Sequence, residues 1–285
     1  MIKMNKILKS LLSVAIISAS FASCSQVDTI DDLDELKKST SVTLNKHADW
    51  PNTTTIVFAT NTYGLYNRVF YYNNNGTTLN NIPTGEYKFY VINRSSEYEY
   101  ENIDLNKLPV DSLYYGDVFV ASKTSELNIA DEGVKRVLAG KYLKISSHEV
   151  FADSTMLVNV KMGQNISATF EKPYTLTKKY TISGTFLSSS NVEKIYVELG
   201  DIIARKKPNG GVAGSQRIKC VLEYNVARNS QKNLERNLTI LGIATSGTAN
   251  VYVRCKGDDK SKTPESKSVR YTVKDGIINL GDITF

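Results

Sequence analysis

Side chains able to do chemistry are few in this chain of 285 residues, which holds three cysteines and two histidines. His148 opens HEVFA (148–152), but the second histidine that would complete a zinc-protease helix is missing. Neither histidine stands in a Cys/His cluster with metal-ligand spacing, and the chain carries neither a GxSxG elbow nor a glycine-rich phosphate loop. Asp258 and Asp259 lie together in KGDDKSK, which reads as a solvated turn rather than a cation site. The pattern points to a non-catalytic protein with no metal and no cofactor. The residue that stands out is Cys24, set in SFASCSQVDTIDDLDE (20–35).

Upstream of Cys24, Lys3, Lys6 and Lys9 make a positive start and Leu11 to Ile17 a short apolar core. That is the layout of a secretory signal, too short for a transmembrane helix. The small residues Ala22 and Ser23 run directly into the thiol, and the segment resembles a bacterial lipobox, with Phe21 where a leucine is usual. The resemblance implies cleavage after residue 23 and acylation of Cys24. Each buried CH₂ of an acyl chain contributes about 0.8 kcal/mol, so several chains on one cysteine anchor a protein to a membrane. Five carboxylates follow within eight residues: Asp28, Asp31, Asp32, Asp34 and Glu35. Like charges with little apolar content make a solvated tether, here 24–39. The run also resembles the acidic export signal of Bacteroidota surface lipoproteins, which implies display on the outer face of the outer membrane.

Removing 1–23 takes three lysines with it and leaves 32 basic residues against 29 acidic ones. So small an excess does not call for a nucleic-acid partner. Lys178-Lys179 and Arg205-Lys206-Lys207 read as solvated strand ends and loops.

From about residue 40 onward, period-2 alternation dominates. Tyr87, Phe89 and Val91 share one phase; so do Tyr180, Ile182 and Phe186; Ile195, Val197 and Leu199; and Val269, Tyr271 and Val273. Asn- and Gly-rich stretches at 73–76 and 208–211 supply turns, since both residues tolerate positive φ. Only 130–143 leaves room for a turn or two of helix. Cys220 is in phase with Ile218 and Leu222, and Cys255 with Val251 and Val253, so both thiols face the apolar side of their strands. A disulfide between them and two buried free thiols fit this pattern equally. Pro173 cannot donate to a central ladder, and a new alternating strand begins just after it. The chain therefore reads as all-β: one sandwich over 40–172 and another over 173–285.

HADW (47–50), NIPTGEYKFYVIN (81–93) and the KP…TLTKKYTISG join, in that order behind the lipobox, resemble the FimB-type anchor and accessory lipoproteins of Bacteroidales type V fimbriae, relatives of the fimbrillins. The positions carrying the resemblance are His47, Trp50, Pro83, Gly85, Tyr87 and Asn93. Pro83 and Gly85 suit a turn, Tyr87 starts a buried face, and Asn93 is expected to close its strand by bonding local backbone. VELGDI (197–202) departs from the family pattern in the second half. The resemblance implies two tandem transthyretin-like Greek-key sandwiches and a part in assembly, with other fimbrial subunits as partners joined by strand pairing. Polymerising relatives are trimmed after an arginine ahead of the first domain. Here the first arginine after Cys24 is Arg68, and the tether region offers Lys37, Lys38 and Lys46. The resemblance thus implies a subunit that keeps its lipid. The C-terminal DGIINLGDITF (275–285) is expected to be the last strand of its own sheet, the other reading being a strand lent to a neighbour.

A surface glycan-binding lipoprotein is the alternative from another class. Tyr63, Tyr66, Tyr71, Tyr72, Tyr114 and Tyr115 are its candidate stacking residues, although strand tyrosines commonly serve as cross-strand partners. No small-molecule site is otherwise expected. Thr29, Ser112 and Ser154 stand in Asp-Thr/Ser-X triplets that resemble Bacteroidota O-glycosylation sites.

Overall fold

The computed structural model describes residues 40–50, 55–61, 67–72, 77–80, 82, 84–101, 112–114, 118–145, 148–226 and 231–285. Cys24, the acidic tether, Thr29, Pro83, Tyr63, Tyr66 and Tyr115 lie outside them.

The described residues are nearly all β. In the first half, β1 (Ser41–Asn45), β2 (Thr55–Asn61), β3 (Asn67–Tyr72), β4 (Thr77–Asn80), β5 (Gly85–Asn93), β6 (Tyr98–Glu101), β7 (Ser112–Tyr114) and β8 (Phe119–Ser122) come first. There follow β9 (Thr124–Glu126), α1 (Glu132–Val137), β10 (Lys141–Leu143), β11 (Phe151–Ser154), β12 (Val158–Val160), β13 (Asn165–Thr169) and β14 (Tyr174–Thr175). One sheet runs β14-β11-β5-β2-β3-β7, with β12 also on β5, and a three-stranded sheet β13-β1-β4 faces it. Alternation decides what lies between them. Val42 and Leu44 of β1, Val57 of β2, and Tyr87, Phe89 and Val91 of β5 are buried together with Trp50 and Phe170. Removing such side chains from water contributes about 25 cal/mol per Å² of apolar surface.

The second half holds β15 (Lys178–Leu187), β16 (Val192–Ile203), β17 (Arg205–Lys206), β18 (Arg217–Asn225), β19 (Gln231–Ile240), β20 (Ser246–Cys255), β21 (Glu265–Lys274) and β22 (Ile277–Thr284). Seven of these form a sheet in the order β18-β16-β20-β21-β22-β15-β19. β21 and β22 pair over only three residues beside their turn, Thr272 to Lys274 against Ile277 to Asn279. Beyond that point the sheet parts into two layers, β18-β16-β20-β21 and β22-β15-β19, which share one core. Ile182 and Phe186, Ile195, Val197 and Leu199, Leu222, Leu234 and Leu238, and Val251 all lie in it. The turn is Asp275-Gly276, with φ +50° and +77°. Positive φ at both central residues matches the right-handed twist of a two-residue hairpin, which is why Asp-Gly serves there. The C-terminal strand β22 belongs to its own chain's sheet, parallel to β15. VELGDI carries a bulge: register shifts between Leu199 and Ile202, and Asp201 has φ +59°.

Several features cross between the halves. β17 pairs with β8 in a small sheet β17-β8-β6, and Leu241 and Ile203 join Tyr98, Val118, Val120 and Leu176 in a shared cluster. Lys206 of β17 departs from the solvated cluster expected of it. It is buried, its ammonium donates to the Leu176 carbonyl at 2.7 Å, and burial holds its pKa below the ordinary lysine value. Segment 124–143, containing α1, lies on the outer face of β16, where Tyr196 packs against Val134, Leu138 and Tyr142.

Candidate functional site

Of the residues that carried the resemblance, Trp50 and Tyr87 lie in the first core. Trp50 is buried, and its backbone N–H donates to the His47 carbonyl at 3.1 Å. His47 Nδ1 accepts the Asp49 backbone N–H at 3.1 Å, closing the turn that delivers Trp50. Gly85 has φ +156°, a conformation L side chains rarely adopt, and an added Cβ would stand 3.3 Å from the Tyr87 ring. Tyr87 is buried and stacks on Phe89 with ring centroids 6.1 Å apart. Asn93 acts over a longer range than expected. Its amide nitrogen donates to the Glu149 carbonyl at 3.0 Å, and its amide oxygen accepts the Phe151 N–H at 2.6 Å. It therefore fastens the end of β5 to the entry of β11 rather than to its own neighbours. The Asn93 carbonyl accepts the Tyr100 hydroxyl at 2.8 Å, and burial pushes that phenol up to about 12.

Cys220 and Cys255 are free, so the disulfide alternative is corrected. They stand on β18 and β20, on either side of β16, opposite Leu199 and Val192 respectively. Seven positions along β16 amount to roughly 20 Å at about 3.3 Å per residue, far beyond the Cα separation a bridge allows. Cys220 is fully buried, and burial pushes its thiol up to about 12. The triplet Asp153-Ser154-Thr155 also departs from expectation. All three residues are buried, at 1%, 8% and 1% exposure, so a glycan on Ser154 does not fit the folded domain. Ser112, Tyr71, Tyr72 and Tyr114 are in strands whose side chains lie outside the described set.

Asp258 and Asp259 organise their own loop: Asp258 accepts the Cys255 N–H at 2.8 Å, and Asp259 the Ser261 N–H at 2.9 Å and hydroxyl at 2.7 Å. Among the described residues no three His, Cys, Asp or Glu side chains gather to hold a metal ion, and no helix is long and apolar enough to cross a membrane.

What the fold leaves open is an edge. β19, ten residues long, is the last strand of its seven-stranded sheet and among the described residues pairs in strand register with β15 alone; towards its end the buried Thr239 carbonyl accepts the Tyr98 hydroxyl at 3.4 Å. The other edge, β18, has β10 beside it. Leu234 and Leu238 of β19 are buried, and Arg236, in the same phase between them, is exposed. A charge at an inward-phased position on an edge discourages indiscriminate pairing. Arg236 has no ion-pair partner among the described residues. It lines a cleft of about 650 Å³ together with Lys179, Tyr180, Leu238, Asp275 and Ile277. Ile277 is 46% exposed there, while Lys179 is paired with Glu149 at 3.1 Å. This arrangement offers an edge strand, an apolar contact and a guanidinium without an ion-pair partner among the described residues. Alternation in the sequence could reveal the strand but not its place at the edge.

The sequence matches no family model and no curated protein. Among solved structures, the chain is similar to the fimbrial anchor protein Mfa2 from Porphyromonas gingivalis, at 15% identity over 75% of this chain and 78% of that one, with a TM-score of 0.49. It is similar to a putative adhesin from Bacteroides ovatus, at 13% identity over 87% of each chain, also with a TM-score of 0.49. A third likeness is to the tip fimbrial protein Mfa3 from Porphyromonas gingivalis, at 8% identity over 84% of this chain and 83% of that one, with a TM-score of 0.28.

Proposed function

We propose that this chain is a non-catalytic fimbrial anchor or accessory subunit, held at the outer membrane through acylated Cys24 and displayed at the cell surface. It grips other fimbrial subunits by strand pairing along β19. The observation that carries the reading is the exposed stretch of the β19 edge ahead of Leu238, combined with a C-terminal strand already committed to its own sheet. With β22 so committed, the chain accepts a strand along β19. Main-chain bonds to β19 supply affinity, and alternate side chains supply register. Arg236 selects among partners, favouring a strand that brings a carboxylate opposite it. The division into sandwiches at 40–172 and 173–285 belongs to the same reading, with β14 (Tyr174–Thr175) of the second segment pairing back onto β11 of the first.

The test is capture of fimbrial subunits from envelopes of cells carrying the wild-type chain or Arg236→Glu. The wild-type chain is expected to hold at least one such subunit and the charge-reversed chain to lose most of it. Equal recovery with both chains contradicts the edge as the grip. Glycan binding is the second reading, favoured by a trough of about 510 Å³ on the outer face of β22-β15-β19, lined by Thr181, Ser183, Thr185, Asn233 and Asn279. A saturable response on a glycan array, lost in Asn233→Ala, would move the assignment to it.

A further inference from the structure

β16 is buried on both faces from Ile195 to Leu199, and the cover on its outer side comes from the first half of the chain. Segment 124–143 crosses that face as β9, α1 and β10. Arg254 of β20 meets Asp131 with Nε on Oδ2 and Nη2 on Oδ1, both at 2.7 Å, and Nη2 also donates to the Lys262 carbonyl at 2.9 Å. Asp131 at the same time caps α1, its Oδ1 accepting the Val134 N–H at 2.9 Å. Gly133 donates to the Lys260 carbonyl at 2.7 Å and comes so close that an added Cβ would lie 1.8 Å from the Lys262 oxygen. Arg136 donates to the Ser261 carbonyl at 2.9 Å, and the Tyr142 hydroxyl to Glu198 Oε1 at 3.0 Å. The apolar seal is small: Val134, Leu138, Tyr142 and Tyr196 form its buried centre.

A six-residue helix between two three-residue strands does not persist alone in water. Its order comes from docking, and docking rests on one buried ion pair and a short apolar seam. Leu143, the last residue of the segment, lies in the second core and hinges the strap there; the other strap residues are in neither sandwich core, and the halves stay joined through β17-β8 and the cluster around Val120.

We propose that residues 124–143 are a strap over the second sandwich, latched by Asp131 and Arg254, which opens as a unit while both sandwiches stay folded. Opening uncovers the face carrying Tyr196, Tyr252 and Glu198. Local openings of this kind occur with free energies below that of global unfolding.

Hydrogen exchange on the full chain, resolved to peptides, tests this. In the wild-type protein, peptides within 124–143 are expected to exchange at least tenfold faster than β16 peptides, after correction for intrinsic rates. Gly133→Ala improves the intrinsic helix propensity of α1 yet blocks its approach to Lys262, and Arg254→Met removes the latch. Both are expected to abolish strap protection while β15, β19 and β22 keep theirs. Strap and β16 exchanging together in the wild-type protein would overturn the proposal. So would wild-type strap protection in either variant, or loss of protection across the whole second sandwich.

Discussion

Asp131 and Arg254 stand 123 residues apart in sequence and meet in a two-bonded ion pair, each bond 2.7 Å long and each side chain less than a tenth exposed. Burial alone would raise the Asp131 carboxyl. The Arg254 guanidinium and the Val134 N–H outweigh that and hold it below the usual carboxylate range. Its charge therefore favours the closed strap above the ordinary carboxylate pKa of about 3.9, and that contribution is lost as pH falls through the depressed folded value. Asp258 and Asp259 also act on Arg254, and Glu198 lies beneath the strap with its own pKa lowered by Asn250 and Lys219 despite burial.

Acid should release the strap. Near-ultraviolet circular dichroism from Tyr142, Tyr196 and Tyr252 is expected to step down below about pH 4, and Asp131→Asn is expected to show the released signal at pH 7. Removing one member of a buried pair costs about 3 kcal/mol, the low end of the usual range because this pair lies just beneath the surface.

Asn93→Ala should cost about 2 kcal/mol, since it strips partners from the Glu149 carbonyl and the Phe151 N–H at a buried junction. Urea denaturation read from Trp50 fluorescence, which reports the first core, is the measurement.

Asp153 is expected to behave in the opposite sense to Asp131. Burial raises its pKa, its Oδ1 accepts the Ser154 and Lys172 N–H groups, and its Oδ2 has no partner. The native state therefore disfavours the ionised form. Asp153→Asn keeps an oxygen for both N–H groups and removes the charge. It should gain about 1 kcal/mol at pH 7, a gain that disappears below about pH 4, where the unfolded carboxyl is protonated as well. Denaturation midpoints at pH 3 and pH 7 decide it.

Anchoring is tested by intact-mass analysis of the mature chain from whole cells. An N-terminal peptide beginning at acylated Cys24 is expected. A lipid-free chain beginning near Lys38 or Lys46 would mean a processed subunit instead.

The strands were legible because a two-residue period survives wherever one face is wet. Tyr87-Phe89-Val91 and Ile195-Val197-Leu199 are buried as their phase requires. The same rule could not foresee Tyr196 and Glu198, outward-phased yet buried, because their cover comes from a segment more than fifty residues earlier. Asn93 was readable as a strand-closing residue, but its partners Glu149 and Phe151, at the entry of β11, are fixed by tertiary pairing. Asp131, three residues before Val134, was a helix-cap signal that could have placed α1, and Asp275-Gly276 a hairpin signal. Which strand ends at an edge depends on the order of all seven, and no local pattern encodes it.

The most direct measurement is photo-crosslinking in cells from position 235 on β19, with position 223 on β18 as the control. A covalent adduct with another fimbrial subunit at 235, absent at 223 and lost with Arg236→Glu, is the expected result. No fimbrial adduct at 235, or equal adducts at both positions, would contradict β19 as the surface that grips the fibre.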